Sequence, residues 1–115
     1  MELINELQTK IRQLEQSILQ LRQNGTAYAE AEKDYKILLR KECLRLRDEG
    51  MAIGMIDKTA YGIPSVAEAR FRRDVAETVY KANQEAINSL KLQLRLIENQ
   101  IQREWTFEGE NEKKK

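Results

Sequence analysis

The 115-residue sequence contains no histidine, one cysteine, one proline, five glycines and only 6% aromatic residues. Each scarcity removes a class of function. Without histidine there is no His-based triad and no imidazole metal ligand. A single cysteine, Cys43, forms neither an intrachain disulfide nor a cysteine-rich zinc site. No apolar run approaches the roughly 18 residues of a membrane span, and no N-terminal segment of the sequence has the charged-then-apolar layout of a leader. The expected location is cytoplasmic, with no membrane partner and no cofactor. Phosphate-binding glycine loops of either common spacing are absent from the sequence.

What the sequence has in abundance is charge, 34% of residues at a net of +1, together with helical periodicity. Ile4, Leu7, Ile11, Leu14, Ile18 and Leu21 alternate three- and four-residue steps, with isoleucine at every a position and leucine at every d position. In a parallel coiled coil that choice favours two strands. Glu6 and Lys10 form a favourable helical pair. Asn24-Gly25 interrupts the pattern, and Gly25 reads either as a C-terminal cap or as a glycine inside one long bent helix. Near-continuity is the preferred reading, because the helical signal resumes at once. Asn24-Gly25-Thr26 matches a glycosylation sequon, which carries no weight without a secretory context.

From Thr26 to about Glu49 helix-forming residues continue, with Tyr28, Ala31, Tyr35, Leu38, Leu39 and Leu46 on one side. Residues 50–64 hold three glycines and the sole proline but also Met51, Ile53, Met55, Ile56 and Ile63. They predict a packed turn region with room for a short helix at 52–59. Ser65 and Glu68 read as a capping box. A long helix follows over 65–106, its seam carried by Ile87, Leu90, Leu94, Ile97, Ile101 and Trp105, with Arg73 and Asn83 as polar seam positions. The segment 108–115 reads as a frayed, charged tail.

The expected fold is all-α: an elongated antiparallel helical hairpin within a single domain, 1–107. Its parts are a heptad arm (1–24), a helix (26–49), the turn region (50–64) and a return helix roughly 60 Å long. A hairpin covers one stripe of each helix. Ile37, Leu44, Val75, Val79, Leu92 and Leu96 then need another surface, so a homo-oligomer formed through the helices is expected. A compact monomeric three-helix bundle is the alternative.

Catalytic signals are nearly absent. The carboxylates scatter over helix faces as solvated charges do, and Cys43, among leucines and with no base, reads as a structural thiol. Tyr28 and Tyr35 read as packing residues. The informative feature is charge distribution: net −2 over residues 1–32, +4 over 33–73 and −1 over 74–115. Lys33, Lys36, Arg40 and Arg47 gather on one ridge, joined across the turn by Lys58, Arg70, Arg72 and Arg73. Lys36 has Glu32, Arg70 has Asp74, Arg72 has Glu68 and Arg73 has Glu77 at helical spacing, whereas Arg40 and Arg47 have no acid three or four positions away. Arg40 and Arg47 are thus the best candidates for an external anion such as a nucleic-acid backbone. Tyr61 and Phe71 lie in the same region of sequence to stack on single-stranded bases. Pairing of these arginines with acids on a neighbouring subunit is the competing reading.

The stretches Tyr28-Ala-Glu-Ala-Glu-Lys-Asp-Tyr35, Leu44-Arg-Leu-Arg-Asp-Glu-Gly50 and Val66-Ala-Glu-Ala-Arg70, with the helix that follows to Trp105, resemble small proteins of phage and prophage replication–recombination modules. The layout is similar, more distantly, to the recombination mediators of the UvsY type. The resemblance implies a non-enzymatic, oligomeric protein that binds single-stranded DNA, with a recombinase or a single-strand-binding protein as further partner. It places the family's basic segment on Arg40, Lys41, Arg45 and Arg47. The Ile/Leu heptad of residues 1–24 departs from that pattern and looks like a dedicated oligomerisation arm. A coiled-coil scaffold, assembly chaperone or inhibitor without nucleic-acid binding is the alternative function.

Overall fold

The computed structural model describes residues 2–114, with side chains to Gly109. Met1 and Lys115, the outer ends of the expected arm and tail, lie outside the described residues. Among those described, every regular element is a helix: α1 (Glu2–Asp48), α2 (Ile53–Tyr61) and α3 (Pro64–Lys114). None is long and apolar enough to cross a membrane. The chain divides into two units, one of α1 to Leu21 with α3 from Asn83 onward, the other of Arg22–Ala82.

α1 runs unbroken through Gly25, so the glycine does not cap a helix there. Its value is lateral. A Cβ at Gly25 would sit 3.1 Å from the Tyr80 ring, and the bare backbone lets that ring pack closely. α1 ends where Gly50 takes a φ of +93°, a conformation that glycine adopts without a Cβ penalty. The Met51 amide donates to the Leu46 carbonyl at 3.1 Å and the Gly50 amide to that of Arg47 at 3.0 Å. This is the Schellman arrangement, and Met51 packs beside Leu46 as that motif favours.

α2 occupies the apolar turn region a little later than the expected 52–59. Its Ile56 and Ala60 bury against Leu46, with Leu39, Cys43, Met51 and Ile63 packed around them. The Cys43 thiol is half-buried in this cluster and lies 3.9 Å from a carboxylate oxygen of Asp57.

The capping box expected at Ser65 is not formed. α3 begins one residue earlier, at Pro64, and the Ala67 amide donates to the Ile63 carbonyl at 2.8 Å. Proline is well suited to the first helical position, because its φ is preset and no amide is left unpaired. Glu68 faces Arg72 instead. At the other end α3 continues to Lys114, past the expected stop at residue 106. Gly109 is the weakest helix former in that stretch, at a cost of about 1 kcal/mol.

The largest difference lies in the heptad. Leu7, Leu14 and Leu21 are half-buried as expected, but the a-position residues Ile4, Ile11 and Ile18 are 43%, 39% and 49% exposed. The covered positions between the leucines are Leu3, Lys10 and Ser17. The helix is thus rotated so that the leucine line is shared and the isoleucine line turns out. Asn83, only 8% exposed, explains the preference, since its side-chain amide donates to the Ser17 carbonyl at 3.0 Å. A small residue at that point admits the buried amide, and a buried amide without a partner would cost about 1–3 kcal/mol. On α3, Ile87 and Ile97 are buried, and Leu90, Leu94 and Ile101 are half-buried. Trp105 does not join them. It is 72% exposed and lies beside Leu7, Glu98 and Ile101 along one groove. The expected Glu6–Lys10 ion pair is absent, and Lys10 instead lines a polar groove with Gln13, Ser17, Ser89 and Gln93.

In the second unit the Tyr28 and Tyr80 rings pack with centres 6.1 Å apart and planes tilted by 34°. Tyr35 is buried, with the Arg73 guanidinium 4.6 Å above its ring. Outside these seams Ile37, Val75, Val79, Leu92 and Leu96 are exposed, while Leu44 is half-buried.

Candidate nucleic-acid interface

All ten sequence-predicted cationic residues fall within the Arg22–Ala82 unit. Their side chains divide into three groups according to what they touch.

Arg45, Arg70 and Arg73 are committed to the fold. Arg45 bridges Glu42 at 2.7 Å and Glu49 at 2.8 Å. The hydrogen bond to Glu42, then that to Glu49, holds its guanidinium pKa above the ordinary value. Arg70 donates to the Tyr61 carbonyl at 2.9 Å and lies 3.5 Å over the Tyr61 ring. It therefore ties the last turn of α2 to the first turns of α3, and the anticipated Asp74 partner is not used. Asp74 serves Arg73, at 2.9 Å. That bond raises the Arg73 pKa, partial burial works against it, and the side chain is the least exposed of the cations seen in ion pairs. Glu77, the expected partner of Arg73, binds Lys81 at 2.7 Å.

Lys36 and Arg72 form the helical pairs that the spacing indicates, with Glu32 at 3.5 Å and Glu68 at 3.4 Å. Both cations are well exposed, and pairs of this kind contribute only about 0.3–0.5 kcal/mol. An external anion displaces them at little cost.

Lys33, Arg40, Lys41, Arg47 and Lys58 are exposed, and none makes an ion pair among the described residues. Three of them, Lys33, Arg40 and Arg47, recur at seven-residue intervals on α1. Seven residues are two helical turns, so these side chains form a line with steps of about 10.5 Å. Sequence spacing picked out Arg40 and Arg47; by the same spacing Arg45, two residues from Arg47, has Glu42 three before it and Glu49 four after, and it is clamped on both sides. Phe71 and Tyr61 are both exposed, Tyr61 with one ring face already taken by Arg70.

The arrangement offers electrostatic contact along a helix flank. Comparison of the chain with family models, with curated proteins and with solved structures gives no match in any of the three.

Proposed function

We propose that the protein is a non-enzymatic, self-associating helical accessory factor that binds single-stranded DNA through the Lys33–Arg40–Arg47 line. The reading rests above all on one observation: three exposed cations share one helix flank at regular spacing, and none of them makes an ion pair among the described residues. Lys41 and Lys58 extend the same charge, and Phe71 supplies an exposed ring for a base to stack on. The sequence resemblance to phage recombination mediators agrees with this reading and suggests a recombinase or a single-strand-binding protein as the working partner, in a cytoplasmic setting.

The long helices pair as an antiparallel hairpin in this reading. Leu7 beside Ile101 and Ser17 bonded to Asn83 support that pairing in one unit, and Tyr28 on Tyr80 with Tyr35 under Arg73 supports it in the other. The exposed apolar side chains support self-association.

A labelled oligonucleotide titrated at two or more salt concentrations tests the proposal. Three phosphate contacts per chain give a slope of log K against log salt of about −2. Arg40→Glu with Arg47→Glu abolishes binding at low salt and leaves the helical content and the assembly unchanged. Salt-independent binding, or none at low salt, refutes it. A second reading, a protein-interaction module without nucleic acid, is favoured by one observation of its own: Phe71, Val75, Val79, Leu92 and Leu96 are all exposed on α3.

A further inference from the structure

The isoleucine line of α1 has two fates. Continued by sevens beyond Gly25 and Glu32 it reaches Leu39 and Leu46, where α2 covers it with Ile56 and Ala60. At Ile4, Ile11 and Ile18 no second helix among the described residues covers it, and the three are left exposed. This line sits roughly 80° around α1 from the positions that face α3. On α3 the residues one step round from the seam on the same side are Lys91, Glu98 and Trp105. The polar groove containing Gln13, Ser89 and Gln93 takes the opposite side. One face of this unit therefore carries an apolar ridge beside two opposite charges, and neither Lys91 nor Glu98 makes an ion pair among the described residues.

We infer that this face binds a second copy of the chain, with the two α1 helices antiparallel about a two-fold axis at Ile11. The inference rests on the hairpin pairing proposed above and gives its self-association a surface and an orientation.

Two features select this occupant. The isoleucines are spaced symmetrically about Ile11, so a two-fold axis there sets Ile4 against the second copy's Ile18, and Ile11 against itself. A parallel partner, related by a two-fold axis along the helices, would also set isoleucine on isoleucine, but it would carry the two α3 helices to opposite sides of the α1 pair, where Lys91 and Glu98 meet no counterpart. The second feature is charge. Interpolating between the Leu7–Ile101 and Ser17–Asn83 contacts puts Ile11 level with α3 at about residue 94. The same axis then sets Lys91 opposite the second copy's Glu98, twice by symmetry. An interface with an apolar centre and a charged rim follows.

Scattering-detected size exclusion and sedimentation, over a range of concentrations of the full chain, test the inference. The expected mass is twice that of the chain, and Ile11→Asp, a change at an exposed site, weakens association by ~10-fold or more while the circular dichroism is retained. Lys91→Glu and Glu98→Lys each weaken association several-fold, and the combined Lys91→Glu/Glu98→Lys chain recovers to within ~2-fold of wild type. A wild type that stays monomeric, or a double variant no better than the single ones, overturns the inference. Oligonucleotide binding is followed separately. A monomeric chain with a salt-dependent grip on DNA loses this interface and keeps the proposed function, whereas a dimer indifferent to DNA does the reverse.

Discussion

The two units of this chain treat the same line of residues differently. In the Arg22–Ala82 unit a third, nine-residue helix lies on Leu39 and Leu46, and Leu46 is left 5% exposed. In the other unit Ile4, Ile11 and Ile18 have no such cover. A helix pair buries one stripe on each member, and a stripe roughly 80° away is buried only if a third body arrives. One unit carries that body in its own sequence. The other leaves a place for it, and the cations of the proposed DNA contact belong to the unit in which this line is already covered.

The sharpest way to break this comparison is to remove a methyl-rich side chain from each version of the line. Leu46→Ala is expected to lower stability by about 2–5 kcal/mol, because it opens a cavity among Ile56, Ala60 and Met51. Urea denaturation reads this as a lower midpoint. Ile11→Ala, at a partly open site, is expected to cost less than about 1 kcal/mol in dilute solution and to act mainly on the concentration dependence of the midpoint. Equal losses at the two sites would erase the distinction.

Smaller changes sharpen the account of how the covered line is built. Gly50→Ala forces a Cβ into the left-handed conformation at the end of α1, and about 1–2 kcal/mol of stability is expected to be lost. Gly25→Ala sets two effects against each other. It raises helix propensity by about 1 kcal/mol but brings a methyl to within 3.1 Å of the Tyr80 ring. The substitution is therefore expected to stabilise a Tyr80→Ala chain more than the wild type, as measured by a thermal double-mutant cycle.

The smallest expected effect concerns pH. The Lys81 ammonium holds the Glu77 carboxyl below its ordinary value, chiefly by the hydrogen bond between them. A group whose folded pKa is depressed contributes stability above its unfolded pKa and loses it as pH falls through the folded one. Wild type and Lys81→Met are thus expected to differ slightly at neutral pH and to converge well below pH 4.5, the ordinary Glu77 value. Lys81 is exposed and Glu77 only half-buried, so the difference is small.

Much of this was legible in the sequence. The long helices, the apolar turn region with a short helix, the glycine at the end of α1 and the Glu32–Lys36 and Glu68–Arg72 pairs all follow from local spacing. The misreadings share a cause. A heptad states that two adjoining lines are apolar but not which one faces the neighbour, and here a buried amide on α3, Asn83, selects the line containing Ser17. Ser65 and Pro64 both mark a helix start, and the preset proline takes precedence. Arg73 has acids at both Asp74 and Glu77, and its lean over Tyr35 leaves it with Asp74. Of the candidate site, the cations free of ion pairs at Arg40 and Arg47 were legible because the absence of a helical partner is a local property. The engagement of Arg70 by Tyr61 was not, because it depends on how α2 meets α3.

The central claim, one stretch of the line covered within the chain and the other covered by a second copy, is tested most directly by hydrogen exchange as a function of protein concentration. The account predicts that amides around Ile4 to Ile18 gain protection as concentration rises, while those around Leu39 to Ala60 do not change. Protection that stays constant in both regions from nanomolar to high micromolar concentration would contradict it.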